Sequence, residues 1–356
     1  MFLYPLEFEP IYKSKIWGGD NLERIYNRDL PGRNIGESWE LAAHPHGTSI
    51  IASGPHKGLT LPELIEKNPE LILGKKIRYE SQQAFPLLIK FIDANDRLSV
   101  QVHPDNAYAR RVENEYGKTE MWYILEAKAG AKLIYGLKEG TTESTLARAI
   151  ENSQLELYLN EIEVKKGDIF FIPAGTVHAI GEGILLAEIQ QNSDTTYRLY
   201  DWDRKGEDGT GRELHIEKAL AVIDFNKKIN PTHSRPLTIK DDGYTRVFLA
   251  ACPYFVTEKI NTKNGYRLNP AGERFYILIN LTGEGDIIYD NKNYQLYPGK
   301  TYFLPAGLEK VQISGRVEFL LTYIPGSKEE VINSLIQSGL TQEDINTLAG
   351  MDNWDK

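Results

Sequence analysis

The segment GDIFFIPAGTVHAI, residues 167–180, decides the fold because its first part recurs as GKTYFLPAG at residues 299–307. In each copy a run rich in β-branched and aromatic residues, typical of a strand, leads into Pro-Ala-Gly, typical of a tight turn. The third residue after the shared glycine is His178 in the first copy and Lys310 in the second. One structural element is therefore predicted twice, and one of its copies holds an imidazole.

A second pair of matching segments extends this repeat. TEMWYILEA at residues 119–127 resembles GERFYILIN at residues 272–280, and the alignment sets Glu120 opposite Glu273. In both halves a glycine-containing turn and another strand follow before Pro-Ala-Gly. The repeat predicts two β-barrels of one type.

The remaining segments predict how the barrels are separated. KKINPTHSRP at residues 227–236 is polar, contains two prolines and indicates a linker. The predicted domains are 1–230 with the N-terminal region and the first barrel, 231–326 with the second barrel, and a helical tail at 327–356.

Most of the chain outside these segments also reads as β-structure. Short stretches such as LLIKFIDA, KLIYGL and RFYILINL are rich in β-branched and aromatic residues, and Gly, Pro, Asn and Asp separate them. Helical spacing of apolar residues is found at residues 60–73, at residues 141–154 and in the segment from Ser327 onward, and DNAYARRVENEYG at 105–117 is expected to be a helical connection. The predicted fold is mainly β, with a few helices.

Composition limits the classes of function. The chain has 356 residues, of which 41% are hydrophobic, so it is long enough for more than one core. The formal net charge of −9 argues against a nucleic-acid partner. One cysteine excludes an intramolecular disulfide, the N-terminus does not read as a signal peptide, and no run approaches a membrane span. We expect a cytoplasmic protein with no membrane or nucleic-acid partner.

Four polar side chains of the first barrel suggest a metal site. Gln101 and His103 are two residues apart on the strand LSVQVHPD, so they point to one face. Glu120 opens another strand, and His178 follows the rigid turn. Each residue alone is more often an ordinary polar residue, but together two imidazoles and one carboxylate suit a divalent transition metal with open coordination positions. On this interpretation the second barrel keeps a glutamate, Glu273, but binds no metal, because the Lys310 ammonium would stand where the histidine ligand is needed.

These motifs resemble those of known proteins. GDIFFIPAGTVHAI is similar to the second motif of cupins, which implies cupin-type (jelly-roll) barrels. LSVQVHPD and GKTEMWYIL resemble the type I phosphomannose isomerase family in its short bacterial form. Further similar segments are KIWGG at 15–19, IGESWELAAHP at 35–45, PLLIKFIDA at 86–94 and AEIQQNSDTTYR at 187–198.

The resemblance implies an activity and a set of site residues. The expected activity is a zinc-dependent aldose–ketose isomerisation of mannose 6-phosphate and fructose 6-phosphate, with one Zn²⁺ per chain and a hexose 6-phosphate substrate. The implied zinc ligands are Gln101, His103, Glu120 and His178. The implied catalytic residues are Arg198, Lys118 and Glu188, and the implied substrate-binding residues are Lys90, Trp17 and Arg198. For the base that moves a proton through the enediol, Glu188, Lys118 and a metal-bound water stay open.

Two departures and two alternatives accompany the resemblance. The long helical insertion of the larger family members is missing, and the tail after about residue 325 has no counterpart. Two histidines and a carboxylate also suit an Fe(II) oxygenase of the cupin class. A non-catalytic sugar-binding cupin is the other alternative. A monomer or a homodimer is expected.

Overall fold

The computed structural model describes residues 1–77, 85–205, 209–226 and 235–354. The chain divides into two compact units that are both discontinuous in sequence. The first unit comprises Ile11–Trp39 and Leu87–Pro231, and the second comprises Met1–Pro10, Glu40–Pro86 and Thr232–Lys356. The predicted domain boundaries at 230 and 326 stay predictions. The predicted linker lies outside the described residues except for Arg235 and Pro236.

The structure is mainly β, as predicted. The strands in chain order are β1 (Ile11–Gly19), β2 (Ile35–Leu41), β3 (Ala43–His44), β4 (Gly47–Thr48), β5 (Leu87–Ala94), β6 (Val100–Val102), β7 (Glu120–Ala127), β8 (Lys132–Leu137), β9 (Leu159–Glu163), β10 (Ile169–Ile172), β11 (His178–Ile180), β12 (Ile184–Gln191), β13 (Tyr197–Tyr200), β14 (Leu237–Asp241), β15 (Tyr244–Ala251), β16 (Val256–Thr262), β17 (Tyr266–Leu268), β18 (Tyr276–Thr282), β19 (Gly285–Tyr289), β20 (Lys292–Leu296), β21 (Thr301–Leu304), β22 (Val311–Gly315) and β23 (Glu318–Tyr323).

Short helices connect or follow the strands. They are α1 (Asn21–Tyr26), α2 (Leu61–Lys67), α3 (Pro69–Leu73), α4 (Asn106–Val112), α5 (Glu143–Glu151), α6 (Ile216–Val222), α7 (Lys328–Gln337) and α8 (Gln342–Asn346), with 3₁₀ turns at Leu155–Tyr158 and Met351–Asn353. The helix predicted over residues 60–73 begins where Thr60 forms a capping box with Glu63, and Asn68 interrupts it by capping α3. The other predicted helical regions are confirmed by α4, by α5 and by α7 with α8.

Two facing sheets form the barrel of the first unit. Their strand orders are β1-β2-β5-β12-β7-β10 and β13-β6-β11-β8-β9. Apolar residues from both sheets meet in one buried cluster, to which Trp122 and Ile172 contribute from the larger sheet and Leu133 and Ile180 from the smaller one. Burial of this shared face stabilises the pairing of the sheets, because removing apolar area from water contributes about 25 cal/mol per Å².

The second unit repeats this architecture. Its sheets have the orders β14-β15-β16-β23-β18-β21 and β17-β22-β19-β20. Aligned in order, β16 corresponds to β5, β23 to β12, β18 to β7 and β21 to β10. The core between these sheets includes Ile260, Leu278 and Leu304 from one side and Val311 and Ile313 from the other. The prediction of two related cupin-type barrels is confirmed by this matching order.

The strand register corrects the predicted alignment of the two halves. Glu120 pairs with Ile172, the residue directly before the first Pro-Ala-Gly. Its counterpart in the second unit is Tyr276, which pairs with Leu304 before the second Pro-Ala-Gly. Glu273, predicted to correspond to Glu120, lies three residues earlier and is exposed. The sequence alignment set Tyr123 opposite Tyr276 because the apolar runs of the two strands are similar. The strand pairing shifts that alignment by three residues and sets Glu120 opposite Tyr276.

The structure also changes the interpretation of Lys310. This residue is exposed and has a left-handed backbone with φ of 53°. The buried side chain at the start of the following strand is Val311, which pairs with Leu268. The second barrel therefore has an apolar residue at this point of its interior, and the expected ammonium points to solvent instead.

Among the described residues, every helix is too short or too polar to cross a bilayer.

Candidate active site

One sheet of the first barrel places three of the predicted site residues in a row. His178 of β11 pairs with Gln101 of β6, and Gln101 pairs with Arg198 of β13. Directly opposed residues of neighbouring antiparallel strands point to the same face of their sheet. The ladder therefore brings together residues that are far apart in sequence.

The facing sheet presents a second row. Lys90 of β5 pairs with Glu188 of β12, and Glu188 pairs with Trp122 of β7. The Lys90 ammonium lies 3.3 Å from a Glu188 carboxylate oxygen, and the Trp122 indole N–H donates to the other oxygen at 2.9 Å. The Trp122 ring stands edge-on to the His178 ring with centroids 5.3 Å apart. The two rows thus meet across the barrel interior.

Two imidazoles and one carboxylate converge between these rows. His103 Nε2 lies 3.6 Å from one Glu120 oxygen, and His178 Nε2 lies 3.3 Å from the other. One donor atom from each residue lies within 4.8 Å of the others, and all three side chains are buried. In a tetrahedral site with bonds of about 2.1 Å, two ligand atoms are about 3.4 Å apart. The observed separations fit a bound transition-metal ion.

Backbone carbonyls orient both imidazoles. His103 Nδ1 donates to the carbonyl of Thr195 at 2.9 Å, and His178 Nδ1 donates to the carbonyl of Thr176 at 2.8 Å. A carbonyl accepts but does not donate, so Nδ1 carries the proton and Nε2 presents its lone pair to the interior. This second layer of hydrogen bonds is the usual way in which proteins orient histidine ligands.

Burial sets the protonation of these groups. It lowers the pKa of His178 to about 4 and lowers the pKa of His103 well below its usual value, with the nearby Lys118 ammonium adding to the effect at His103. Both imidazoles are therefore neutral near pH 7, the form that binds a metal. Burial also raises the pKa of Glu120, although Lys118 opposes this shift.

The surroundings of the Glu120 carboxylate indicate whether a cation fits between His103, Glu120 and His178. Within the described chain the Lys118 ammonium is the one cationic group that pairs with the buried oxygens of this carboxylate. An ionised carboxylate in such a position is costly unless a positive charge compensates it. The Lys118 ammonium lies 3.2 Å from a Glu120 oxygen and 3.2 Å from His103 Nε2. The centre of the cluster is thus a place that attracts positive charge, and the residues present fit a divalent metal.

Gln101 reaches the same cluster from the neighbouring strand. Its side-chain amide nitrogen lies 3.3 Å from His178 Nε2. The two ends of a glutamine amide are interchangeable by a flip of the group, so the carbonyl oxygen can take this position and face a metal. The geometry brings all four predicted ligands together.

A buried ion-pair network adjoins the cluster and includes a residue that the sequence analysis missed. The Lys90 ammonium lies between Glu188 at 3.3 Å and Glu37 at 3.9 Å. Glu37 also accepts from the Trp39 indole at 2.7 Å and pairs with Lys15 at 2.8 Å. Strand alternation in IGESWEL places Glu37 and Trp39 on one face, and this pattern was the available signal.

The same network determines the charge of Glu188. Burial by itself would raise the pKa of this carboxyl, but the Lys118 and Lys90 ammonium groups outweigh burial and the pKa is lowered. Glu188 is therefore ionised at neutral pH. The oxygen that the Trp122 indole does not contact is buried and lies 3.3 Å from the Lys90 ammonium. An ionised carboxylate held in this position has lone pairs that can accept a proton.

Arg198 lies at the end of its row, beside other arginines. It donates from Nε to the Ser99 hydroxyl at 3.2 Å and from Nη1 to the Glu213 carbonyl at 2.7 Å. Asp201 accepts from both Arg204 at 2.6 Å and Arg212 at 2.7 Å. Burial, and then the charge of Arg212, lower the pKa of Arg198. Arg204 also pairs with Asp96 at 3.2 Å, so both neighbouring arginines have carboxylate partners, whereas the Arg198 side chain donates to a hydroxyl and a backbone carbonyl and forms no ion pair within the described residues.

Trp17 takes a different position from the polar candidates. It is 4% exposed and packs in the apolar cluster that also contains Trp122 and Ile92. Its backbone carbonyl accepts from the N–H groups of Asn95 and Asp96. The predicted contact of Trp17 with substrate stays a prediction.

Comparisons with known proteins agree with this geometry. Residues 6–147 match a family model described as the catalytic domain of type I phosphomannose isomerase, and residues 244–324 match the cupin domain of mannose-6-phosphate isomerase. Both matched segments end before α7 begins.

Similar proteins cover most of the chain. Mannose-6-phosphate isomerase of Streptococcus mutans is 39% identical over 320 residues, which are 90% of this chain and 98% of that protein. Mannose-6-phosphate isomerase ManA of Bacillus subtilis is 40% identical over 321 residues, 90% of this chain and 99% of that protein. A crystal structure of the mannose 6-phosphate isomerase from Bacillus subtilis superposes with a TM-score of 0.83 at 35% identity, covering 89% of this chain and 99% of that one.

Proposed function

Because this chain belongs to the type I phosphomannose isomerase family, we propose that it interconverts mannose 6-phosphate and fructose 6-phosphate with one bound Zn²⁺. The observation that carries the proposal is the convergence of His103, Glu120 and His178 beside the ionised Glu188. We expect Gln101 to supply a fourth ligand. A metal held there would act as a Lewis acid for negative charge on the sugar oxygens.

The residues around the metal ligands would divide the remaining tasks. The isomerisation moves a carbonyl between C1 and C2, which requires removal of a proton from one carbon and its return to the other. The ionised state of Glu188 and its position in the barrel interior support this residue as the proton carrier. Lys90 holds that carboxylate ionised by direct pairing, in addition to its predicted contact with substrate. A positioned base of this kind contributes about 10²–10⁴-fold to a rate.

Two cations would stabilise charge on the substrate. Lys118 lies within 3.2 Å of Glu120 and His103, so its ammonium can act on oxygens of a sugar that approaches the cluster. Arg198, which forms no ion pair within the described residues, suits the phosphate dianion or a developing oxyanion. Remote phosphate binding would hold the reacting carbons in place. A monomer or homodimer in the cytoplasm stays a prediction.

A coupled assay of fructose 6-phosphate formation tests the proposal. The purified protein is assayed as isolated, after thorough chelation, and after readdition of Zn²⁺, Mn²⁺, Fe²⁺ or Co²⁺. We expect turnover to disappear on chelation and to return most fully with Zn²⁺. Unchanged turnover after verified metal removal would refute the metal-dependent mechanism. Oxygen consumption by the Fe²⁺ form without isomerisation would favour the cupin oxygenase alternative.

A further inference from the structure

The second unit contains a polar pocket of its own. Its volume is about 240 Å³. Pockets for drug-sized ligands usually measure about 300–1,000 Å³, so this one limits a ligand to a small molecule. The polar side chains that line its interior are Arg246, Glu258, Tyr266, Arg274, Tyr276 and Tyr323.

This pocket lies on the strands that correspond to the site of the first unit. Lys90 pairs with Glu188 across β5 and β12, and Glu258 pairs with Leu321 across the corresponding strands β16 and β23. Tyr276 takes the ladder position of Glu120, as the register before Pro-Ala-Gly shows. Polar side chains therefore lie at corresponding interior positions in both barrels, but the residue types differ.

Ion pairs form one side of the pocket. Arg246 contacts both oxygens of Glu258, at 2.8 Å and 3.0 Å, and Glu258 is 2% exposed. Arg274 is 6% exposed, donates to Glu330 and lies over the Tyr323 ring with its guanidinium carbon 4.9 Å from the centroid. A buried bidentate pair holds planar polar groups in fixed orientations.

The pocket is balanced in charge. The cations that line it are Lys76, Arg246 and Arg274, and the carboxylates are Glu258, Glu273 and Glu330. Lys76 lies 2.8 Å from Glu330 and 2.9 Å from Glu273, so each positive group has a carboxylate partner. The lining has no excess positive charge that would offset the free-energy cost of removing water from an anion.

Three tyrosine hydroxyls remain available for a ligand. The hydroxyls of Tyr266, Tyr276 and Tyr323 form no hydrogen bond with any residue in the described parts of the chain. Burial raises the pKa of each phenol, that of Tyr276 to about 12, so all three stay protonated at neutral pH. Each hydroxyl can both donate and accept, and the rings provide apolar surface.

The C-terminal helix completes the pocket. Glu330, Val331 and Ser334 of α7 line one side of it. The backbone N–H of Gly326 donates to the second Glu330 oxygen at 3.0 Å, so the start of the helix is fixed to the ion pairs. α7 lies outside the two segments that match the family models, the second of which ends at residue 324.

We infer that this pocket is a second binding site, which takes a small uncharged polyhydroxylated ligand of the monosaccharide class. Tyrosine hydroxyls and paired Arg–Glu groups offer donors and acceptors together, which matches sugar hydroxyls that also do both. The aromatic rings match the C–H faces of a pyranose. Charge balance disfavours a phosphate or a carboxylate. The site is independent of the isomerase activity proposed for the first barrel.

Binding of unphosphorylated sugars to the full-length protein tests this inference. D-mannose, D-glucose and D-fructose are titrated by calorimetry and ligand-observed NMR, with acetate and inorganic phosphate in parallel. Tyr276→Phe and Tyr323→Phe each remove one hydroxyl and keep the ring, and we expect each to weaken sugar binding about three- to tenfold. Tyr289→Phe, on β19 outside the pocket, and Lys90→Ala, in the first unit, are expected to keep it. Tyr276→Phe is expected to keep isomerase turnover.

Each result of these binding experiments either supports the second binding site or overturns it. Binding of at least one sugar that both pocket variants weaken supports the site. Absence of sugar binding, loss of binding in Lys90→Ala alone, or tyrosine-dependent binding of acetate or phosphate in place of sugar would overturn it. Thermal melts of every variant exclude loss of folding. Because turnover is measured separately, failure here is distinguishable from failure of the proposed isomerase function.

Discussion

His178 Nε2 lies 3.3 Å from a carboxylate oxygen of Glu120, although the two residues belong to different sheets of the first barrel. Each residue is the first of its strand, and the packing of the two sheets against each other brings these strand ends together. The contact places a buried carboxylate, paired with the Lys118 ammonium at 3.2 Å, beside a neutral imidazole. A metal ion between them would bind the carboxylate and the imidazole lone pair together.

Replacing Glu120 is therefore expected to abolish stable metal binding. Glu120→Gln keeps the shape of the side chain and removes its charge. We expect metal affinity to fall at least about 100-fold, because loss of even an outer partner of a metal ligand costs about 10–100-fold. Metal content after dialysis, measured by mass spectrometry, gives the result. Glu126→Gln, on the same strand but only partly buried and paired with Lys166, is the matched control. Full metal content in Glu120→Gln would contradict the assignment.

Substitutions of Glu188 and of Lys118 are expected to have different effects on proton transfer. Glu188→Gln removes the proposed carrier, and we expect turnover to fall about 10²–10⁴-fold with metal content unchanged. Exchange of the substrate C2 hydrogen with deuterated solvent should stop as well. Lys118→Met should slow turnover but leave measurable exchange. The reverse pattern, exchange lost in Lys118→Met and kept in Glu188→Gln, would make the lysine the base.

Glu37 is expected to link stability to pH. Burial opposes its ionisation, but Lys90, Lys15 and the Trp39 indole together lower its pKa to about 2. A carboxyl with a lowered folded-state pKa stabilises the fold above its unfolded value of about 4.3, and this contribution disappears as pH falls toward 2. The shift corresponds to about 3 kcal/mol in the free energy of unfolding at neutral pH.

Urea unfolding of the wild type and Glu37→Gln checks this dependence. The variant should be less stable at pH 7, and the difference between the two proteins should shrink between pH 4.5 and the lowest pH at which both still fold. A difference that stays constant over this range would show that the pairing of Glu37 with Lys90 and Lys15 does not carry the effect.

The C-terminal helix is expected to be part of the folded second unit. Leu335 is fully buried, in a cluster with Phe248, Val256 and Ile345, whereas its neighbour Ile336 is 47% exposed. Leu335→Ala should lower the free energy of unfolding by about 2–5 kcal/mol through lost burial and a cavity. Ile336→Ala on the same helix should change it by less than about 0.5 kcal/mol. Equal effects of the two substitutions in chemical denaturation would argue that α7 does not pack as described.

The sequence by itself determined the strands, the repeat and which polar side chains are candidates for metal binding. Alternation with period two made Gln101 and His103 neighbours on one face, and Pro-Ala-Gly marked the same turn in both halves. These are local properties, since strand propensity and turn chemistry depend on residues close together in the chain.

Only the tertiary structure decided the register and the charge environment. Tyr276, not Glu273, takes the position of Glu120, and Glu37 joins the site from another strand. A strand can slide by several residues while keeping a similar apolar pattern, so packing across the two sheets is what selects its register. The ionisation of Glu188 likewise depends on Lys90 and Lys118, which reach it through strand pairing and burial that no local pattern in the sequence encodes.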